Sequence, residues 1–334
     1  MKFTLIICTY KRRYAIEKLL DSVNKQTLYP TEILIIDGSP DSETNFFLEQ
    51  KLYKNLKYFK VIEQDRGLTK QRNLGITKVA KTSEIICFLD DDVILAENYF
   101  YNLINTYNVF PNALGVGGYI TNGIHWQKVT SPYKPNSNQF YYDGYVRTEP
   151  LRFKLRKIVG LDSNVPPGFT PMFSHGRSVG FLPPSGKIYE VEQVMGGVSS
   201  FKKEIFEKMS FSTYFEGYGL YEDADFSIRL AKKGSLYLNT AAQLEHHHDN
   251  AGRPNKYQYG KMVVRNGWYV WRVKNPKPKF IDRLKWNAIT LLLIGIRVIN
   301  IFNTKNKKEA LTESLGRVVG WFSLIINRPD VYEE

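Results

Sequence analysis

Apolar runs and helical stripes alternate along the first ninety or so residues. Residues 3–8 form a short, β-branched apolar run ending at Thr9-Tyr10-Lys11-Arg12, the pattern of a buried strand followed by a loop. Ile16, Leu19, Leu20 and Val23 recur at helical spacing, which predicts an amphipathic helix to residue 25. A second buried strand is expected over 32–36, stopping at the turn-rich Asp37-Gly38-Ser39-Pro40-Asp41. A third strand is expected over 59–62, a helix over 68–78, and a strand over 84–89 that runs into Asp90-Asp91-Asp92. This alternation predicts an α/β fold with a mainly parallel sheet covered on both faces. Ligands in such sheets sit beyond the carboxyl ends of the strands, where Thr9, Tyr10, Asp37 and the aspartate cluster converge.

The pattern changes over 126–192, which is rich in proline with aromatics scattered between, and which predicts long loops with a short hairpin near the site. A strand or turn is expected at 194–203, with Gly196-Gly197, leading into a helix over 203–209. A helix starting near Glu222 and ending at Gly234 comes next, then the apolar segments 236–238 and 241–244, which lead into Glu245-His246-His247-His248-Asp249. Beyond 253 the chain becomes aromatic and basic. Residues 286–302 are strongly apolar but interrupted by Arg297 and Asn300, shorter than the roughly 20 apolar residues of a membrane span. The expected organisation is one domain over 1–250, in two halves that divide near residue 125, then a basic and aromatic helical region over 251–334.

The 334 residues are enough for one large core and an appended unit. A formal net charge of +13 favours a polyanionic partner without choosing among nucleic acid, anionic lipid and a phosphorylated substrate. Two cysteines, Cys8 and Cys87, lie in apolar runs and lack metal-ligand spacing, and the N-terminal apolar run is too short for a secretory signal, so a cytoplasmic setting is expected.

Three aspartates after a buried strand suit a hard divalent cation, Mg²⁺ or Mn²⁺, bridging a diphosphate; the plainer reading is a solvated acidic turn. In an extended segment Asp90 and Asp92 face one way. Glu222 and Asp223 sit at a helix start, where acidic residues are common for structural reasons, and where a carboxylate could instead take a proton from an acceptor hydroxyl. Only five histidines occur, and His246 and His248 share a face of an extended segment, so either could complete a metal site. Tyr10 could stack on a base and Asp37 accept a base N–H, while Arg66, Lys70 and Arg72 could meet a diphosphate.

Taken in order, these pieces resemble the family-2 glycosyltransferases, inverting enzymes with a Rossmann-like, mixed and mainly parallel A-type fold. Ile6-Ile7-Cys8-Thr9-Tyr10-Lys11-Arg12 is similar to the family's opening strand and nucleotide loop, and Ile35-Ile36-Asp37-Gly38-Ser39 to its base-binding turn. Arg66-Gly67-Leu68 with Arg72-Asn73-Leu74-Gly75 resembles the next helix, and Phe88-Leu89-Asp90-Asp91-Asp92 the Asp-X-Asp motif. Met195-Gly196-Gly197 resembles the acceptor segment and Tyr221-Glu222-Asp223 the catalytic helix. The resemblance implies that Thr9, Tyr10, Arg12, Asp37, Arg66, Lys70, Arg72, Asp90 and Asp91 serve the nucleotide sugar. It places metal on Asp92, Asp90 and His246, and makes Asp223 the base, with Glu222, Gly196 and Gly197 toward the acceptor. It departs from the family at Ile36, where many members carry a second acid, and lacks the Gln-X-X-Arg-Trp motif of processive synthases. Transfer of a single sugar from a UDP-sugar to a saccharide or lipid-linked glycan is therefore expected.

The basic flanks of 286–302 fit an interfacial helix on the anionic inner face of the cell membrane as well as they fit a core helix. No nucleic-acid partner is expected, because the sharpest features are carboxylates rather than basic and aromatic clusters. A nucleotidyltransferase is the nearest enzymatic rival, but the loop over 9–13 is not the glycine-rich phosphate loop it would require.

Overall fold

The computed structural model describes residues 1–130, 132–215, 217–247 and 254–331. Its strands are β1 (Phe3–Thr9), β2 (Glu32–Asp37), β3 (Leu56–Lys60), β4 (Ile85–Asp90), β5 (Val93–Leu95), β6 (Gly115–Ile120), β7 (Gln127–Lys128), β8 (Gln139–Tyr142), β9 (Tyr145–Thr148), β10 (Ile188–Val191), β11 (Val198–Lys202) and β12 (Leu236–His246). Its α-helices are α1 (Arg13–Val23), α2 (Glu43–Glu49), α3 (Leu68–Lys78), α4 (Tyr99–Val109), α5 (Leu151–Ile158), α6 (Glu222–Ala231), α7 (Lys256–Lys274), α8 (Phe280–Asn303) and α9 (Lys307–Ile326). They fall into two compact units, Met1–Ile124 with Leu182–Arg253, and His125–Phe181 with Pro254–Glu334. The segment over 125–181 thus groups with the C-terminal helices.

The first unit is built on one mixed sheet, in the order β10-β12-β6-β11-β4-β1-β2-β3 with β5 on β12. The block β4-β1-β2-β3 is parallel, as alternation with helices requires. β11 runs antiparallel between β4 and β6. Both sheet faces are covered. Leu5, Ile7, Ile33 and Ile35 join Ile16, Leu19 and Leu20 of α1 and Tyr99, Phe100 and Leu103 of α4 in one core. On the other face, Gly75 of α3 lies against Ile6 and Ile36, close enough that a β-carbon there would crowd them. Each fully buried Leu or Ile contributes about 1.5–3 kcal/mol, so these continuous runs outweigh any local preference.

Several elements differ from expectation in position or type. The third strand lies at Leu56–Lys60, on the sheet edge, where its half-exposed residues give a weak apolar signal. The helix expected over 203–209 is a 3₁₀ turn, Lys203–Glu207. The apolar segments 236–238 and 241–244 belong to one strand, β12, with an irregularity between Leu238 and Gln243 in its pairing with β6.

In the second unit β7, β9 and β8 form an antiparallel sheet. Its hairpin turns at Asp143-Gly144, both with positive φ (46° and 81°), the geometry that matches strand twist. α7 and α9 approach until backbone meets backbone: a β-carbon on Gly260 would strike the Glu313 carbonyl, and one on Gly316 the Tyr257 carbonyl. Trp271 of α7 stacks on Trp286 of α8 at 5.5 Å, and Trp321 Nε1 of α9 donates to Asn287 Oδ1 at 2.9 Å.

Candidate active site

The sheet delivers the site. Registers place Thr9 beside Asp37 and Cys8 beside Asp90, so the ends of β2, β1 and β4 lie side by side. β11 enters from the opposite direction, and its lead-in meets the end of β4, where the Asp90 N–H donates to the Gly197 carbonyl at 2.9 Å. After β4 the chain turns into β5, which pairs with the end of β12 and sets His246 opposite Val93. The His247 N–H donates to the Asp92 carbonyl at 2.9 Å, fixing that junction.

The three aspartates divide between two environments. Asp90, Asp92 and His246 offer ligand atoms that all lie within 4.8 Å of one another. His246 Nε2 is 2.8 Å from Asp92 Oδ1. Burial alone would lower the pKa of His246, but the bond to Asp92 and the charge of Asp90 raise it above the ordinary value. Asp91 faces the other way. It accepts from Thr9 Oγ1 at 2.8 Å and Arg12 Nη1 at 2.9 Å, and burial pushes it up to about 7 against the pull of Arg12 and Thr9. Alternation along the chain thus gives Asp91 to the scaffold and leaves Asp90 and Asp92 together. Two carboxylates and an imidazole suit a divalent cation such as Mn²⁺ or Mg²⁺. Glycine at 197 leaves room for the Asp90 carboxylate, which a β-carbon would strike. The donor set and this cradle fit the metal. His248 lies outside the described residues.

A second acidic group stands across Gly196-Gly197. Asp223, in the first turn of α6, accepts from the Gly196 N–H at 3.1 Å and from the Ala224 N–H at 2.8 Å. Its pKa is raised, burial outweighing both N–H groups and Arg72. Glu222 is buried and ion-paired with Arg72. Burial pushes it up to about 8, with Arg72 opposing and Asp223 assisting. The Arg72 guanidinium is itself buried, 3.5 Å from Asp90 Oδ1 and over the ring of Phe211 at 5.3 Å. Arg72 therefore bridges the two acidic groups instead of standing open to a ligand.

The remaining nucleotide-side residues spread along the strand ends. Tyr10 is 39% exposed. Asp37 is fully buried, accepting from the Ser39 N–H at 2.7 Å and from Tyr58 Oη at 2.8 Å, so it pins its own turn. Lys11, at φ 56°, donates its N–H to Ser39 Oγ at 2.7 Å and ties the two loops together. Arg66 pairs with Glu63 at 3.6 Å, and Lys70 Nζ donates to the Gln64 carbonyl at 2.9 Å. Sequence reasoning missed Gln71, whose amide donates to the carbonyls of Thr9 at 3.2 Å and Ile36 at 2.8 Å and so clamps β1 to β2. It also missed Tyr58. Neither carries a local signal beyond Gln71's place between Lys70 and Arg72.

Comparisons with known proteins bear on the family and the fold. Residues 4–175 match the family described as glycosyl transferase family 2. The O-antigen chain rhamnosyltransferase RfbN of Salmonella typhimurium is 34% identical over 98 residues, 29% of this chain and 30% of that protein. The GalNAc(5)-diNAcBac-PP-undecaprenol beta-1,3-glucosyltransferase of Campylobacter jejuni is 28% identical over 120 residues, 34% of this chain and 38% of its own. The chain thus spans well under half the length of these curated relatives. Among solved structures, the mannosyltransferase PcManGT from Pyrobaculum calidifontis with GDP-Man and Mn²⁺ superposes with a TM-score of 0.55 at 14% identity, covering 98% of this chain and 88% of that one. GalNAc-T7 with UDP, GalNAc and Mn²⁺ gives 0.52 at 16% identity, covering 79% and 48%. The fold is thus the glycosyltransferase A-type, a mixed sheet with flanking helices and a helical C-terminal region. The chain belongs to glycosyltransferase family 2.

Proposed function

We propose that the chain is an inverting glycosyltransferase that moves one sugar from a nucleotide-diphosphate sugar, a UDP-sugar in preference, onto a hydroxyl of a saccharide or lipid-linked glycan in cell-surface polysaccharide synthesis. The observation that carries this reading is the pair of acidic groups flanking Gly196-Gly197: Asp90, Asp92 and His246 on one side, Asp223 on the other. The glycan-building activities named for the relatives support the substrate class. The catalytic work is assigned to the sheet-based unit within residues 1–250, on the cytoplasmic side of the membrane.

Asp223 is the base. Its raised pKa makes it a stronger proton acceptor than an exposed carboxylate, and the Gly196 N–H aims one oxygen while the other is held at the α6 N-terminus. Glu222 and Arg72 hold that helix start against Asp90, so the proton-accepting and diphosphate-binding sides keep a set distance. Asp90, Asp92 and His246 would hold the divalent metal, which supplies Lewis-acid stabilisation of charge on the departing diphosphate. Exposed Tyr10 is the base-stacking group, with Thr9, Arg12, Asp37 and Asp91 shaping its loop, and Arg66 and Lys70 stand at the diphosphate end of α3. Gly196 and Gly197, assigned to the acceptor side, leave room for the Glu222, Arg72 and Asp90 side chains packed against them. A nucleotidyltransferase reading is disfavoured by the family membership.

The test is nucleotide release from UDP-, GDP- and dTDP-sugars in Mn²⁺ or EDTA. Release from one donor that EDTA abolishes is expected. Asp223→Asn should lower acceptor-dependent transfer about 10²–10⁴-fold while donor binding persists. If no sugar nucleotide binds in Mn²⁺, the reading fails.

A further inference from the structure

Helix α8 is 24 residues long and apolar enough to cross a membrane, yet only 22% of its most apolar stretch is buried. That is too little for the core helix of a water-soluble unit. Phe280, Leu284, Leu291, Val298 and Phe302 fall at spacings of four and seven, one stripe of the helix, and all are exposed, Phe280 and Phe302 by 75% and 78%. α9 repeats the pattern with Leu311, Leu315, Phe322 and Ile326. Single exposed leucines carry no information, but two continuous stripes in one unit do. Exposed Lys277, Lys279 and Arg283 stand at one end of α8, and Lys305, Lys307 and Lys308 at the other.

We infer that the outer stripes of α8 and α9 form an in-plane docking face for an anionic lipid bilayer. The other side of α8 argues against a span: Arg297 is ion-paired with Glu313 of α9, Glu313 also holds Arg317 at 2.8 Å, and Trp286 is packed among Trp271 and Leu324. Crossing the bilayer would drag that ion pair into hydrocarbon or strip α8 from α9. Lying flat buries only the apolar stripes and leaves both basic clusters at headgroup depth, where anionic phosphates neutralise them. A second copy of this chain fits less well. Two-fold pairing of α8, whether parallel or antiparallel, sets one cationic end against another. The face gives the proposed glycosyl transfer its lipid-linked acceptor, and rests on that reading for its purpose only.

The experiment is co-sedimentation of the full chain with phosphatidylglycerol/phosphatidylcholine vesicles and with phosphatidylcholine alone. Binding to the anionic vesicles, released by high salt, is expected. Lys305→Glu/Lys307→Glu/Lys308→Glu should weaken it about fivefold or more for each cation lost. Leu291→Glu/Val298→Glu, both at exposed positions, should abolish it while circular dichroism stays unchanged. The proposal is overturned if the chain ignores anionic vesicles, if the Leu291→Glu/Val298→Glu variant binds as the wild type does, or if binding resists high salt and alkaline extraction as a span would. It is also overturned if the same variant converts a dimer to a monomer in light scattering without vesicles. Donor hydrolysis in Mn²⁺ without vesicles, measured on the same proteins, should be untouched; its absence from the wild type would sink the transfer reading and leave the docking result standing.

Discussion

Gly197 shows how much can hang on a missing side chain. A β-carbon there would occupy the place of the Asp90 carboxylate, so Gly197→Ala should push an oxygen of the proposed metal site aside. A displacement of about 1 Å costs on the order of 10²-fold in rate, and a Mn²⁺ titration of nucleotide release should show it. Glu222 makes a different prediction. Its folded pKa, raised from 4.5 to about 8, means that the protonated form favours folding. Its contribution is fully present below 4.5 and is lost as pH rises toward 8, at up to about 1.4 kcal/mol per pH unit. Glu222→Gln should therefore gain stability relative to wild type across that interval, as denaturant unfolding at pH 5, 7 and 8.5 would reveal. A constant difference would show instead that Arg72 keeps Glu222 ionised throughout.

Among the elements, the α7–α9 contact depends on bare backbone at Gly260 and Gly316. Gly316→Leu should destabilise the second unit by about 1–3 kcal/mol, the usual cost of overpacking, visible as a lower or separate thermal transition. The buried strands were legible from the chain alone: β1, β2 and β4 lie within a residue or two of expectation because burial on both sheet faces fills their middles with apolar side chains. α4 was not read, although Phe100, Leu103, Ile104 and Tyr107 repeat at helical spacing, because its aromatic and β-branched composition argues for strand. β6 was hidden for the opposite reason. Gly115, Gly117 and Gly118 are poor strand formers, and they are needed because Phe201, Val194 and Tyr99 fill the space where side chains would go. The aspartate cluster and Asp223 announced themselves by charge at element ends. The bridging role of Arg72 and the clamp made by Gln71 did not, since their partners come close only once the sheet is assembled.

For the whole molecule, metal and stability should be linked. A cation held by Asp90, Asp92 and His246 joins β4 to β12, and a ligand that binds only the folded state stabilises by about 2.7 kcal/mol at a hundred times its Kd. Mn²⁺ should raise the melting temperature of the wild type and leave that of Asp92→Ala/His246→Ala unmoved. Equal shifts in both would place the metal elsewhere.

The pairing of β5 with β12 also bears on the protein's birth. Asp90 and Asp92 leave the ribosome long before His246, with the entire β7–β9 hairpin sheet and α6 made in between. A nascent chain, or a fragment cut ahead of β12, holds the loops after β1, β2 and β4 but not the imidazole that completes the proposed ligand set. Under the proposed function, a divalent metal meets its full ligand set only once the last strand of the sheet has been laid in, so the growing polypeptide is expected to turn over no donor for most of its synthesis.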